Sequence, residues 1–273
     1  MLSACGPRGI ATPSVDKAGT PQELRLLLEE IEGRSDVEAH VARARAYERL
    51  REMGEGPAAE LMRRGDAADV AVLAGGASPQ MKAESAGRLA RHFRERAETS
   101  EPGACPFGGP LGEPLRRYTR LMVAARFGEY ASRPEHGASL ERLAAIAQEL
   151  ADRGELRPEM RDRWNRRARE LAQKAVEESS QKADPAPGAE ALKFCEYDVG
   201  RHLEEAIQAA EFGTREKAAR GDADRALDWY LTALTHYAVV EGCVDRPSPA
   251  QASALQTQDI ILRSLEDLML RSK

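Results

Sequence analysis

Four residues with metal-binding, nucleophilic or proton-exchanging side chains stand in a mirror pattern near the C-terminal end. Cys195 and His202 are seven apart, His236 and Cys243 are seven apart, and the cysteine pair and the histidine pair are each centred on Ala219. The turn predicted at Arg220-Gly221-Asp222 lies beside that centre. A helical hairpin from about Ala189 to Cys243 would therefore set Cys195 opposite Cys243 and His202 opposite His236. Two thiols and two imidazoles are the donor set of a Cys2His2 zinc site, but helix rise excludes one. Seven residues at about 1.5 Å each span ~10 Å, whereas all ligands of one zinc ion lie within about 2.3 Å of it. No metal and no cofactor are expected.

A disulfide between Cys195 and Cys243 fits the mirror better. Both lie on apolar stripes (Leu192, Cys195, Val199, His202, Ala206 before the turn; Ala226, Trp229, Ala233, His236, Val240, Cys243 after it), and small neighbours allow the close approach a bridge requires. Closing a loop of about 49 residues would contribute roughly 4 kcal/mol in the chain-entropy account. The alternative is two buried free thiols. His202 and His236 would lie inside the bridge, either as a functional pair that is pH-sensitive or metal-binding or, more commonly for such histidines, as packed and hydrogen-bonded core residues. Cys105 sits in an apolar loop with no base nearby to activate it. The chain has no phosphate-cradling glycine loop, no Gly-x-Ser-x-Gly elbow and no HExxH. Arg161, Arg163, Arg166, Arg167 and Arg169 cluster around Trp164, but Glu159, Asp162 and Glu170 are interleaved, as on a solvated helix face. The chain reads as a non-enzyme.

The elements that must position these residues are legible as helices. Thr20-Pro21-Gln22-Glu23 and Ser248-Pro249-Ala250-Gln251 are capping boxes with proline at the first helical position. Helices are predicted from Pro21 to Gly33, from Asp36 to about Met53, in two short pieces to Arg64 and over Asp66–Leu73, and from Pro79 to about Glu98. Further helices run near Pro114–Ala131, Ser139–Arg153 and Pro158–Ser179. The final helix, opened by Ser248-Pro249, carries Leu255, Gln258, Leu262, Leu265 and Met269 as one stripe. With 31% charged, 42% hydrophobic and only 5% aromatic residues, and no convincing strand, the fold class is all-α, with about ten helices in antiparallel hairpins. Either a degenerate repeat array or an irregular bundle would satisfy it. The organisation reads as a tether (1–19), an N-terminal helical region (20–98), a loop (99–113), middle helices (114–179), a linker (180–188) and a C-terminal hairpin with a final helix (189–273). A net charge of −5 argues against nucleic acid. No apolar run approaches the ~20 residues of a membrane span.

Two stretches resemble known families. Gly221 to Leu234 resembles the second helix of a tetratricopeptide repeat: glycine, then Ala226 and Leu227, an aromatic at Tyr230, and the Ala233-Leu234 pair. The resemblance implies that the small alanines admit neighbouring helices while Tyr230 and Leu234 fill the gap between hairpins. Gly213, Thr214 and Lys217 depart from the pattern, which has large apolar residues there. Leu2-Ser3-Ala4-Cys5 resembles the lipobox of bacterial lipoproteins. That implies lipidation at Cys5, a membrane anchor at the N-terminus and, since Gly6 is not aspartate, the outer membrane; a signal segment upstream of Met1 would be required. Together the resemblances imply an envelope-tethered helical-repeat protein that binds or positions another protein through its array surface. A cytoplasmic helical adaptor is the alternative, and a helical protein with a small-ligand pocket a third.

Overall fold

The structure is a computed structural model and describes residues 15–99, 109–181, 187–218, 223–244 and 248–270. Among them are eleven α-helices: α1 (Pro21–Glu30), α2 (Val37–Glu52), α3 (Ala58–Ala74), α4 (Pro79–Glu98), α5 (Gly112–Ala131), α6 (Arg133–Ala151), α7 (Pro158–Ser180), α8 (Ala189–Cys195), α9 (Val199–Ala218), α10 (Ala223–Cys243) and α11 (Pro249–Met269). The fold is all-α, as the patterning predicts. No described helix is long and apolar enough to cross a membrane. Cys5, Cys105 and the turn containing Gly221 lie outside the described residues.

Both capping boxes form. The Thr20 hydroxyl accepts the Glu23 N–H, and the Glu23 carboxylate accepts the N–H groups of Gly19 and Thr20 at 2.8 and 3.0 Å. Ser248 and Gln251 do the same for α11. These bonds satisfy donors that a helix start otherwise leaves open. Two boundaries differ from expectation. α6 begins at Arg133, because Ser132 accepts the Glu135 N–H and Pro134 suits the first turn. The two short helices expected around Gly65 are one helix, α3. Arg64-Gly65-Asp66 reads locally as a turn, yet Gly65 is inside the helix, where its missing side chain lets α2 approach: a Cβ there would lie 3.6 Å from that of Tyr47.

Asp66 and Asp69 are the reason α3 continues. Both are fully buried and bind α4. Asp69 accepts two bonds from the Arg88 guanidinium, at 3.0 and 2.6 Å, and Asp66 contacts His92 Nδ1 at 2.6 Å and Arg96 Nη2 at 2.5 Å. Charges without water need this degree of pairing.

Most helices pack mainly on a neighbour in sequence, but α8 meets α5 and α3, α10 also meets α3 and α5, and α11 meets α5 and α9. In a strict repeat array each unit meets only adjacent ones; here α10 is an axle. Most of its side chains are buried, including Ala226, Leu227, Tyr230, Ala233 and Leu234. One core cluster runs from Ala97 to Met269, a second joins α3, α4, α5, α8 and α10, and a third, from Val15 to Leu50, is local to the N-terminal helices. The regions separated by the 99–113 and 180–188 segments therefore share cores. Glu266 of α11 ties the far end: its buried carboxylate accepts the N–H groups of Gly109 and Leu111, at the start of α5, at 3.0 and 2.9 Å. An anion at a helix N-terminus is favourably placed.

Candidate functional site: an aromatic groove over a histidine pair

Periodicity put Cys195 and His202 on one helix; the structure breaks the chain between them. α8 ends at Cys195, where the Glu196 N–H bonds back to the carbonyls of Leu192 and Phe194. Asp198 then opens α9. Its carboxylate accepts the Arg201 N–H at 2.7 Å and its carbonyl accepts that of His202 at 3.0 Å. An Asp two residues before a Gly is a readable helix start, and the stripe through Cys195 and Val199 concealed it. The short α8 packs on α5 and α3, while α9 packs on α10.

That break corrects the disulfide. Cys195 and Cys243 are both free and buried. Cys195 Sγ faces the Arg126 carbonyl of α5 at 3.9 Å. Cys243, at the end of α10, lies in the field of Asp66, Asp69 and Arg96 on α3 and α4. Because α8 turns away from the line of α9, the two thiols face different neighbours although one apolar cluster contains both. Burial pushes both thiols well above their usual range. Neither is the thiolate that nucleophilic or metal chemistry requires.

The inner pair meets as the mirror predicts. His202 Nδ1 and His236 Nδ1 are 2.8 Å apart, a hydrogen bond between α9 and α10. His202 is completely buried and His236 is 8% exposed. Burial pushes His202 well below the usual imidazole range, and the neighbouring His236 adds to it. Burial likewise lowers His236 to about 4; Glu205 opposes this, and Arg126 and Lys193 reinforce it. Both rings are therefore neutral at neutral pH, and one proton lies between them.

Around this pair the chain gathers aromatic residues it otherwise uses sparingly. The Phe194 ring stands 4.7 Å from His202 and 5.2 Å from His236, and Tyr197 packs 5.6 Å from His202. Across the opening, Phe212 of α9 and Trp229 of α10 stack with centroids 4.9 Å apart. These four rings and His236 line a groove of about 460 Å³ between α5, α8, α9 and α10. Trp229, expected on a buried stripe of α10, is instead 37% exposed at its mouth. Position 229 falls between the face turned to α5 and the face turned to α9, and the groove occupies that gap. Gly213 sets the approach of α9 to α10. A Cβ there would lie 2.7 Å from the Tyr230 ring, so the departure from the repeat pattern is what lets α10 close on α9.

The charged rim is largely paired. Arg126 holds Glu190 at 2.8 Å. Glu205 accepts from Arg201 at 2.7 Å and from the Tyr197 hydroxyl at 3.2 Å. Lys193 lies over the Tyr197 ring at 5.8 Å and makes no ion pair among the described residues. A larger concavity between α6 and α7, about 990 Å³, is lined by small residues such as Gly137, Ala138 and Ala172 and contains no aromatic ring. Sequence reasoning singled out His202 and His236 but missed Phe194, Tyr197 and Phe212. Their signal was the density of aromatic residues within some twenty positions of a chain with few of them. Among the described residues no group of three or more His, Cys, Asp or Glu side chains is arranged to hold a metal ion. Comparison of the chain with models of protein families, with curated proteins and with solved structures gives no match.

Proposed function

We propose that this is a non-enzymatic helical scaffold of tetratricopeptide-like character that holds a segment of a partner protein in the aromatic groove between α8, α9 and α10. The observation that carries the reading is the convergence of Phe194, Tyr197, Phe212 and the exposed Trp229 on one opening. Aromatic side chains supply much of the energy of recognition surfaces, and an exposed tryptophan that packs only on one side is an unused contact. The groove also supports the small-ligand alternative, since its volume lies within the ~300–1,000 Å³ of such sites.

Trp164 is core and Trp229 lines the groove, so Trp164→Phe leaves Trp229 to report occupancy by fluorescence. A library of short peptides, screened for a saturable Trp229 response that Phe212→Ala abolishes, tests the reading. A response from metabolites and none from peptides would replace it by the small-ligand one.

As to location, we propose an envelope lipoprotein anchored through Cys5, on the strength of the lipobox-like residues alone. The free thiols withdraw the support a disulfide would have lent. Labelling of the native protein with a fatty-acid analogue, lost in Cys5→Ser, is the expected result. An unlabelled protein in the soluble fraction would favour the cytoplasmic adaptor.

A further inference from the structure

The proton between the two histidines fixes what the groove floor offers. A hydrogen bond between two neutral Nδ1 atoms needs one N–H and one lone pair, so the two rings carry opposite tautomers. His202 Nε2 is buried with no hydrogen-bond partner. An orphaned N–H is the costlier and rarer of the two possibilities, so the lone pair belongs on His202 Nε2 and the proton on His202 Nδ1. His202 then donates to His236, and the proton of His236 is on Nε2. That edge of the ring is the one turned away from His202, and His236 lines the groove. The buried partner thus makes His236 a fixed donor that rotation or tautomer exchange does not silence.

The charges around this donor decide what it receives. The charged and titratable groups lining the groove with it are Arg126 from α5, Glu190 and Lys193 from α8, Tyr197 from the link, and Glu205 from α9. Both carboxylates are already engaged, Glu190 by Arg126 and Glu205 by Arg201 and Tyr197. Lys193 makes no ion pair among the described residues; the Tyr197 side chain and the charge of Glu205 hold its ammonium in the charged form, so the charge left open beside the donor is positive.

We propose that the groove recognises an amphipathic carboxylate: an acidic side chain of the partner segment, next to an aromatic one. The apolar body lies against Phe194, Phe212 and Trp229, and the carboxylate is received by the His236 Nε2–H and the Lys193 ammonium. This rests on the groove being the partner site proposed above. A carboxylate there gains a charge-assisted hydrogen bond and an ion pair, whereas an isosteric amide gains only the neutral bond.

Two matched pairs of probes test this by calorimetry on the full chain at pH 7: 3-phenylpropionate against 3-phenylpropionamide, and the blocked peptide Ala-Glu-Phe-Ala against Ala-Gln-Phe-Ala. The acid member of each pair is expected to bind about three- to tenfold more tightly, as for a single exposed ion pair. Lys193→Gln, a substitution at an exposed position, is expected to reduce the preference to what the His236 bond alone supplies while leaving the circular dichroism unchanged. Imidazole nitrogen NMR is expected to show His202 protonated at Nδ1 and His236 at Nε2. Equal binding of acid and amide, no binding of any probe, or the reverse tautomers would overturn the inference. Binding of both peptides with no acid preference would overturn it and leave the partner reading standing. Preference for the free acid with no binding of either peptide would keep the carboxylate chemistry and refute the partner reading.

Discussion

Acidification is the sharpest probe of the histidine pair. In the unfolded chain both imidazoles take protons near pH 6.5, whereas in the fold His236 does so only at about 4 and burial holds His202 well below its usual range. Below pH 6.5 the unfolded state therefore binds more protons than the native one, and stability falls as pH falls. The loss begins near pH 6.5 and, for His236, ends near pH 4, below which both states are protonated. A drop from 6.5 to about 4 corresponds to about 3 kcal/mol for His236, and His202 adds to it in the same direction. That is a large share of the ~5–15 kcal/mol that holds a typical domain together. Urea unfolding at pH 7.5, 6.5, 5.5 and 4.5 measures the effect. The control is the double substitution His202→Leu with His236→Phe, which removes both titrations and leaves no single buried polar atom orphaned. The wild-type chain is expected to lose about 3 kcal/mol or more relative to the double variant between pH 7.5 and 4.5. Carboxylates titrate in the lower half of this range, but they do so in both proteins and cancel in the difference. Parallel stability curves would refute the reasoning, since they would mean that the pair is hydrated or already shares a second proton in the native state.

Three further outcomes follow from the packing. Asp69→Ala leaves the buried Arg88 guanidinium with only Glu48, at 3.8 Å, and the Ser85 hydroxyl, and is expected to cost about 3 kcal/mol by urea unfolding, most of it recovered when Arg88→Met is added. Gly213→Ala places a methyl group against the Tyr230 ring and is expected to destabilise by about 1–2 kcal/mol despite the better helix propensity of alanine; a raised melting temperature would contradict the close approach. Cys195 and Cys243 are expected to resist a thiol reagent in the native protein and to react fully in denaturant; reaction of either at the rate of an exposed thiol would contradict their burial.

Much of this fold could be read from the chain, and the failures share one cause. Starts such as Thr20-Pro21, Ser78-Pro79 and Ser248-Pro249 are local devices: the cap and the proline are adjacent, and in the first and last the side chain that reaches back to the cap lies three residues on. Of the stripe Leu255, Gln258, Leu262, Leu265 and Met269, the last four are buried as the spacing implies and Leu255 is partly buried. The errors arose where a distant contact overrides a local signal. Gly65-Asp66 continues as helix because α4 supplies His92 and Arg96 to a carboxylate that in isolation marks a turn. Conversely, an apolar stripe continuous through Cys195 and Val199 hid the cap at Asp198, since the residues on both sides are buried against different helices. The mirror symmetry of Cys195, His202, His236 and Cys243 therefore gave the inner contact correctly and the outer one wrongly. The inner pair lies on two unbroken helices and the outer pair does not. The groove was illegible for the same reason: its lining comes from four helices, and no single stretch carries its pattern.

The position of α10 at the centre of the molecule constrains the order in which the chain can mature. During synthesis the N-terminal cluster from Val15 to Leu50 is complete once α1 and α2 have emerged, because its contacts are short in sequence. The faces of α3 and α5 that later receive α10 have no such local cover. They are made more than a hundred residues before their partner and must wait, apolar and uncovered, until residues 223–243 are free of the ribosome, a state that invites aggregation or chaperone attention. The Glu266 carboxylate, which reaches back to the start of α5 across 155 residues, can close only after that. The last fifth of the sequence is thus the step that commits the preceding helices to one arrangement, and a chain cut short before α10 would release two preformed but unsealed helical surfaces.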